Sequence, residues 1–321
     1  MRRGDRKTAT LTPISPEQFH TVPARAHGYP HREARVRRLV GGGAHHPVME
    51  PFVGSEALAG GVMTRGVLRA RYTAILPNIY VAKGTELTLE VRARAAWLWS
   101  GRTGIIAGRT AAVMYSTPWA VTTDPIDLIA RRTEHPDGLI IRNERIAIDE
   151  IGIWNGLPCT NPARTALDVA RHHPRDAAVM LLDRFCAASD TSSEDISQLA
   201  DRYRGARGIR TALLTAAEID PGALTPEETR VRLMLSDVGL RPPHSRIHVT
   251  DGCDDAVLDL GWRTLRIGID CERADPRDRS DFLQSLGWIY LTIAPGENHT
   301  SVSSRVRRAM RARRRHLPVW R

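Results

Sequence analysis

Four carboxylates in the last third of the chain have the types and spacing of a metal-dependent hydrolase. Asp259 sits inside the apolar run Leu258-Asp259-Leu260-Gly261-Trp262, and Asp270 follows eleven positions later in Ile269-Asp270-Cys271-Glu272. Glu228 precedes both, in Thr225-Pro226-Glu227-Glu228. Adjacent strands joined by a short turn would bring Asp259 and Asp270 together, and a preceding helix could aim Glu228 at the same point. A set of Glu228, Asp259 and Asp270 suits Mg²⁺, which takes a few carboxylates together with waters and phosphate oxygens. Such an ion activates water and offsets charge on a phosphate. Asp270 and Glu272 alternate, so they share one face of a strand, and their mutual repulsion favours a cation between them.

Each acid also has a structural reading. Glu228 stands three residues after Thr225, which makes a capping box, and four before Arg232, which makes a helical ion pair. Asp259 inside an apolar strand needs a partner to offset its burial. Arg266 or Arg273 could satisfy Asp270 and Glu272 by a salt bridge. Cys271 has no histidine near it in sequence and reads as a small buried residue.

The 46 basic and 36 acidic residues give a net charge of +10, with all lysine confined to Lys7 and Lys83. That charge is uneven: residues 1–50 carry +5 and residues 305–321 carry +8, leaving −3 for 51–304. A polyanion-binding reading therefore attaches to particular segments. Arg65, Arg69 and Arg71 form the polar side of one short helical pattern, and Arg307, Arg311, Arg314 and Arg315 cluster at helical spacing near the end. Both can contact DNA phosphates without reading sequence. The four cysteines, Cys159, Cys186, Cys253 and Cys271, include no C-x-x-C pair, which argues against a zinc finger or a disulfide framework. No apolar run is long enough to span a bilayer, and the polar, Arg-rich start has no apolar signal core. The expectation is a cytoplasmic protein with no membrane partner.

These groups need elements to hold them. Residues 1–48 combine prolines, scattered arginines and a triple glycine without apolar periodicity, and read as a disordered basic extension; Met49, just before the first dense apolar sequence, could serve as the start. Residues 49–87 read as helix, helix and hairpin, the outline of a winged helix: Ser55 and Thr64 as caps, Gly60-Gly61 as a stop, and Pro77-Asn78 as the turn. Residues 88–218 read as a small α+β region. Its helices are capped by Thr88 and by Asn161-Pro162, its strands lie at 105–107, 126–130, 139–142 and 146–154, and helices close it. Trp97 and Trp99, on the first of its helices, read as core. Residues 219–316 read as α-β-β-β-α-β-α, with 317–321 as a tail. The fold class is α+β, with a winged-helix-like start, an α+β middle and an α/β domain at the end.

The order of motifs in that last domain carries a resemblance. Thr225 to Leu233, then Leu258 to Trp262, then Ile267-Gly268-Ile269-Asp270-Cys271-Glu272, then Leu286-Gly287-Trp288, resemble the Vsr-like endonuclease-fold proteins of the PD-(D/E)XK superfamily over about 221–315. The stretch 51–216, beginning Pro51-Phe52-Val53-Gly54-Ser55-Glu56-Ala57-Leu58, resembles the AbiEi-type antitoxin or transcriptional-regulator region. The resemblance implies that the last domain is a restriction-endonuclease-like α/β domain, with Glu228, Asp259, Asp270 and Glu272 as catalytic acids and Glu228, Asp259 and Asp270 holding Mg²⁺. It also implies double-stranded DNA and a cognate toxin as partners. The chain departs from the family pattern in the third motif. Asp270 stands where Glu is usual, Glu272 where Asp is usual, and Arg273 in place of Gly. The interval from Arg273 to Leu286 is short and has no histidine, and the domain has no lysine. Arginine stays protonated and cannot take over as a base. The departures favour a DNA-binding, antitoxin-like regulator with an impaired nuclease domain. An active Mg²⁺-dependent endonuclease and a protein-interaction scaffold without a DNA role are the alternatives.

Overall fold

The computed structural model describes residues 50–116, 124–240, 244–271 and 277–316, and among these the protein is α+β. The N-terminal extension, the C-terminal tail and Glu272 with Arg273 lie outside the described residues. The chain divides into two compact units, residues 1–165 and 166–321.

The first unit opens with β1 (Phe52–Val53), α1 (Gly54–Ala59), α2 (Arg65–Arg71), β2 (Tyr72–Leu76) and β3 (Ile79–Ala82). The strands form an antiparallel sheet in the order β1-β3-β2. Thr64 caps α2 by accepting the Val67 N–H, as its sequence implies. Ser55 does not cap α1; it lies inside the helix, and the cap comes from the hairpin turn. Asn78 adopts the left-handed conformation that a tight turn requires (φ 63). Its side-chain oxygen accepts the Ser55 N–H at 2.9 Å, its amide donates to Ser55 Oγ at 2.8 Å, and its carbonyl accepts the Gly54 N–H. One residue thus closes the turn and satisfies a helix start that lacks its own cap. Asn78→Gly keeps the backbone conformation while removing that cap, so it should cost about 1 kcal/mol. Thermal unfolding of the variant measures this. Leu68, Tyr72 and Ala82 form the core here, with Phe52 set edge-on to Tyr72 at 5.0 Å.

A five-stranded sheet fills the rest of this unit. It uses β4 (Ile105–Ile106), β5 (Ile126–Ile129), β6 (Leu139–Arg142), β7 (Ile151–Trp154) and β8 (Leu157–Thr160), in the order β6-β5-β4-β8-β7. Two helices, α3 (Leu89–Trp99) and α4 (Gly108–Ser116), belong with it, and Thr88 caps α3 through the Val91 N–H. Alanines 93 and 96 are buried against the sheet, with Trp97 and Trp99 packed around them as core. The expected strand 146–154 is only half a strand: Ile148–Glu150 is a 3₁₀ turn, and the strand proper starts at Ile151. Its hairpin partner β8 contains Pro158, a residue that ordinarily argues against an internal strand.

The second unit begins with helices from α5 (Pro162–His172), which starts in the first unit, through α6 (Arg175–Ser189), α7 (Ser193–Arg202) and α8 (Ile209–Ala216). Sequence grouped this helical run with the strands before it; in the fold α6 to α8 fall in the second unit, together with residues 226–316. The tie is a buried polar network. Asp183 on α6 is fully buried and accepts from Asp220 N–H at 2.7 Å, Thr229 Oγ1 at 2.6 Å and Arg232 Nη2 at 2.7 Å. Thr229 and Arg232 lie on α9 (Pro226–Asp237), and Arg232 Nη1 also donates to the Glu218 carbonyl at 2.6 Å.

After α9 come β9 (His244–Thr250), β10 (Asp255–Trp262), β11 (Ile267–Cys271), α10 (Arg277–Ser285), β12 (Ile289–Ile293) and α11 (His299–His316). The α-β-β-β-α-β-α order read from sequence is the order observed. The sheet runs β12-β11-β10-β9, with only the β11/β12 pair parallel. One core joins Val231 and Leu235 of α9 and Val302 and Val306 of α11 to Leu260, Trp262, Ile267 and Ile269. The other joins Leu283 of α10 to Ile247, Val249, Ala256 and Leu258. Gly261 and Gly268 face each other across β10 and β11; a Cβ on Gly268 would lie 2.4 Å from the Leu258 side chain, so this strand pair needs glycine for Leu258 to fold over it. No described helix is long and apolar enough to cross a membrane.

Candidate functional site

Glu228 sits in the first turn of α9 because Thr225 and Pro226 start the helix there. Thr225 Oγ1 accepts the Glu228 N–H at 3.2 Å. The Glu228 carboxylate turns back to accept the Leu224 N–H at 2.8 Å and the Thr225 hydroxyl at 3.2 Å. Thr225 thus caps the helix, but the other half of the expected capping box differs: the Glu228 carboxylate takes the N–H of Leu224, one residue before the cap, in place of the Thr225 N–H. The helical pair with Arg232 does not form, because Arg232 is drawn to Asp183 on α6. Burial pushes the Glu228 carboxyl above its ordinary range, and the negative charge of Asp259 adds to this; the Leu224 N–H and the charge of Arg246 act the other way.

Asp259 and Asp270 are brought together where the sheet opens. The β10/β11 ladder ends at Leu260↔Ile269. One step further, the two carboxylates replace the missing backbone bonds: Asp259 N–H donates to Asp270 Oδ1 at 3.1 Å, and Cys271 N–H donates to Asp259 Oδ2 at 2.8 Å. On the opposite side of β10 the ladder with β9 runs Leu258↔Ile247 and then Leu260↔Ser245, and Arg246 between them is held left-handed at φ 53. On either side of Asp259, Leu258 packs in one core and Leu260 in the other. Left-handed geometry in a non-glycine strand residue is costly and recurs at functional positions.

Asp270 is fully buried. Its Oδ2 accepts the Tyr290 hydroxyl at 2.9 Å, and Arg279 Nε lies 2.9 Å from the same oxygen as an ion pair, its N–H aimed off the hydrogen-bond line. Arg279 Nη2 donates to the Val257 carbonyl. Among the described residues the counter-ion is Arg279 and not Arg266, one of the two arginines that sequence offered, which donates to the Leu286 carbonyl at 3.2 Å; Arg273 lies outside the described residues. No spacing in the sequence distinguishes Arg279 from its neighbours. Cys271 points into the α9/α11 core, where burial raises its thiol well above the ordinary range. Tested against a divalent cation, the three described acids do not fit as they stand. Asp270 is neutralised by a guanidinium, and one oxygen of Asp259 and both of Glu228 are taken by protein donors.

The arginines named from sequence divide into groups. Arg65, Arg69 and Arg71 are all exposed on α2, and Lys83 Nζ donates to the Arg69 carbonyl at 3.0 Å, fixing the end of that helix. On α11, Arg307 is exposed but donates to the Val238 carbonyl at 3.0 Å, and Arg311 is exposed. Arg314 and Arg315 lie within α11, but their side chains fall outside the described residues. Arg305 and Arg313, by contrast, stitch α11 to the sheet through Thr292, Glu297 and Gly287.

No family model matches the chain, and no solved structure matches it. It is similar to uncharacterized proteins from two Mycobacterium tuberculosis strains, CDC 1551 and H37Rv: 30% identity over 152 residues, covering 44% of this chain and 55% of each relative. The chain thus spans about half the length of the curated relatives it matches.

Proposed function

We propose that the protein is a DNA-binding, antitoxin-like regulator in the cytoplasm, carrying a nuclease-like domain with impaired catalysis. The carrying observation is α2, whose arginines 65, 69 and 71 are all exposed beside a β-hairpin. A helix that starts at a clean cap, has its end held by Lys83 and presents several guanidinium groups suits the phosphates of duplex DNA. Arg311, and Arg307 beside it, offer a second cationic face on α11. A cognate toxin is the protein partner this reading expects. Mg²⁺ belongs to the alternative of an active endonuclease, which would need Asp270 released from Arg279. The test is a gel mobility shift of the full chain with duplex DNA across a salt series. A complex at low salt that weakens steeply as salt rises is expected. No complex at any salt would leave the scaffold alternative.

A further inference from the structure

We infer that Arg279 is the permanent counter-ion of Asp270, so that the three described acids Glu228, Asp259 and Asp270 are closed by a guanidinium and by backbone and hydroxyl donors and take no divalent cation. The inference rests on the nuclease-like reading of these residues and is independent of duplex binding.

A carboxylate as deeply buried as Asp270 keeps its charge only if the surroundings repay the lost water. Three groups from three elements do so: the Asp259 backbone N–H of β10, the Tyr290 hydroxyl of β12 and the Arg279 guanidinium of α10. The guanidinium is itself held, by the Val257 carbonyl, and its side chain is only 19% exposed. A hydrated Mg²⁺ needs open carboxylate oxygens with room for its remaining waters. Here the positive charge that position calls for is already supplied by the chain. One oxygen of Asp259 is engaged by the Cys271 N–H, and both of Glu228 by the Leu224 N–H and the Thr225 hydroxyl. The acids therefore serve the fold: they hold together β10, β11, β12 and α10 at the point where the β10/β11 ladder ends.

The experiment titrates MnCl₂ into the full chain and reads free Mn²⁺ by electron paramagnetic resonance, alongside melting curves with MnCl₂ and with EDTA. The wild type is expected to take up no Mn²⁺ at micromolar concentrations and to melt at the same temperature in both. Arg279→Met leaves a buried carboxylate without its counter-ion, and its Tm should fall by at least about 5 °C. Added Mn²⁺ should raise that Tm in the variant only. Stoichiometric Mn²⁺ uptake by the wild type that is lost in Asp259→Asn would overturn the inference, as would an Arg279→Met chain that melts like the wild type. Should Arg279→Met fail to fold, the wild-type titration decides alone.

Discussion

Replacing Arg232 with leucine should destabilise the second unit by about 3–5 kcal/mol, because it strands the Asp183 carboxylate in the interior. Both side chains are almost fully buried, and they meet at 2.7 Å. Burial pushes the Asp183 carboxyl above its ordinary value even in the intact protein, while Arg232, the Asp220 N–H and Thr229 act against that rise. Without Arg232 the pKa must climb further. A folded-state pKa above the unfolded one means that the stability of the folded chain is greatest below the unfolded pKa. It is lost as pH rises through the folded value. The deficit of Arg232→Leu should therefore be largest near neutral pH and shrink as the solution is acidified into the Asp183 titration. Asp183→Asn combined with Arg232→Leu should recover part of the loss, since no bare charge is left behind, although Asn cannot satisfy every donor around it. Urea unfolding of the two single variants and the double variant gives the coupling energy. A cost below about 1 kcal/mol for Arg232→Leu would place the pair in solvent-like surroundings.

Changing Arg65, Arg69 and Arg71 together to alanine should lower the salt dependence of duplex binding by about three in the slope of log K against log salt, with a matching loss of affinity at low salt. Fold stability should hardly move, because all three side chains are exposed. Changing Arg308 and Arg311 to alanine provides the comparison, since both are exposed on α11. A slope lowered by the first set and left intact by the second would assign the phosphate contacts to α2. The reverse result would move them to α11. Equal binding by both variants and the wild type would remove the arginine argument altogether.

The elements were legible where the signal is local. Thr64, Thr88, Asn161 and Thr225 each accept a backbone N–H at the start of the helix they announce. Ser55 misled because capping depends on which group reaches the helix start first, and Asn78, 23 positions away, gets there. The β7/β8 hairpin is a different case. Asn155-Gly156, with φ 46 and 76, is a strong tight-turn signal between two runs, but Pro158 obscured the second run.

The sequence by itself determined the order of elements in residues 226–316 and the placing of Asp259 and Asp270 at neighbouring strand positions. Both follow from short-range patterns of apolar spacing, caps and turns. Only the tertiary structure decided what those acids face. Arg279 reaches Asp270 from α10, Asp183 takes Arg232 away from Glu228, and Arg246 twists β9 opposite Asp259. Partner choice among many arginines is set by how helices and strands pack, and no spacing along a chain encodes it. The same holds for the second unit's extent: one buried aspartate on α6 ties the middle helices to α9, and its reach across the chain is visible only once the core has formed.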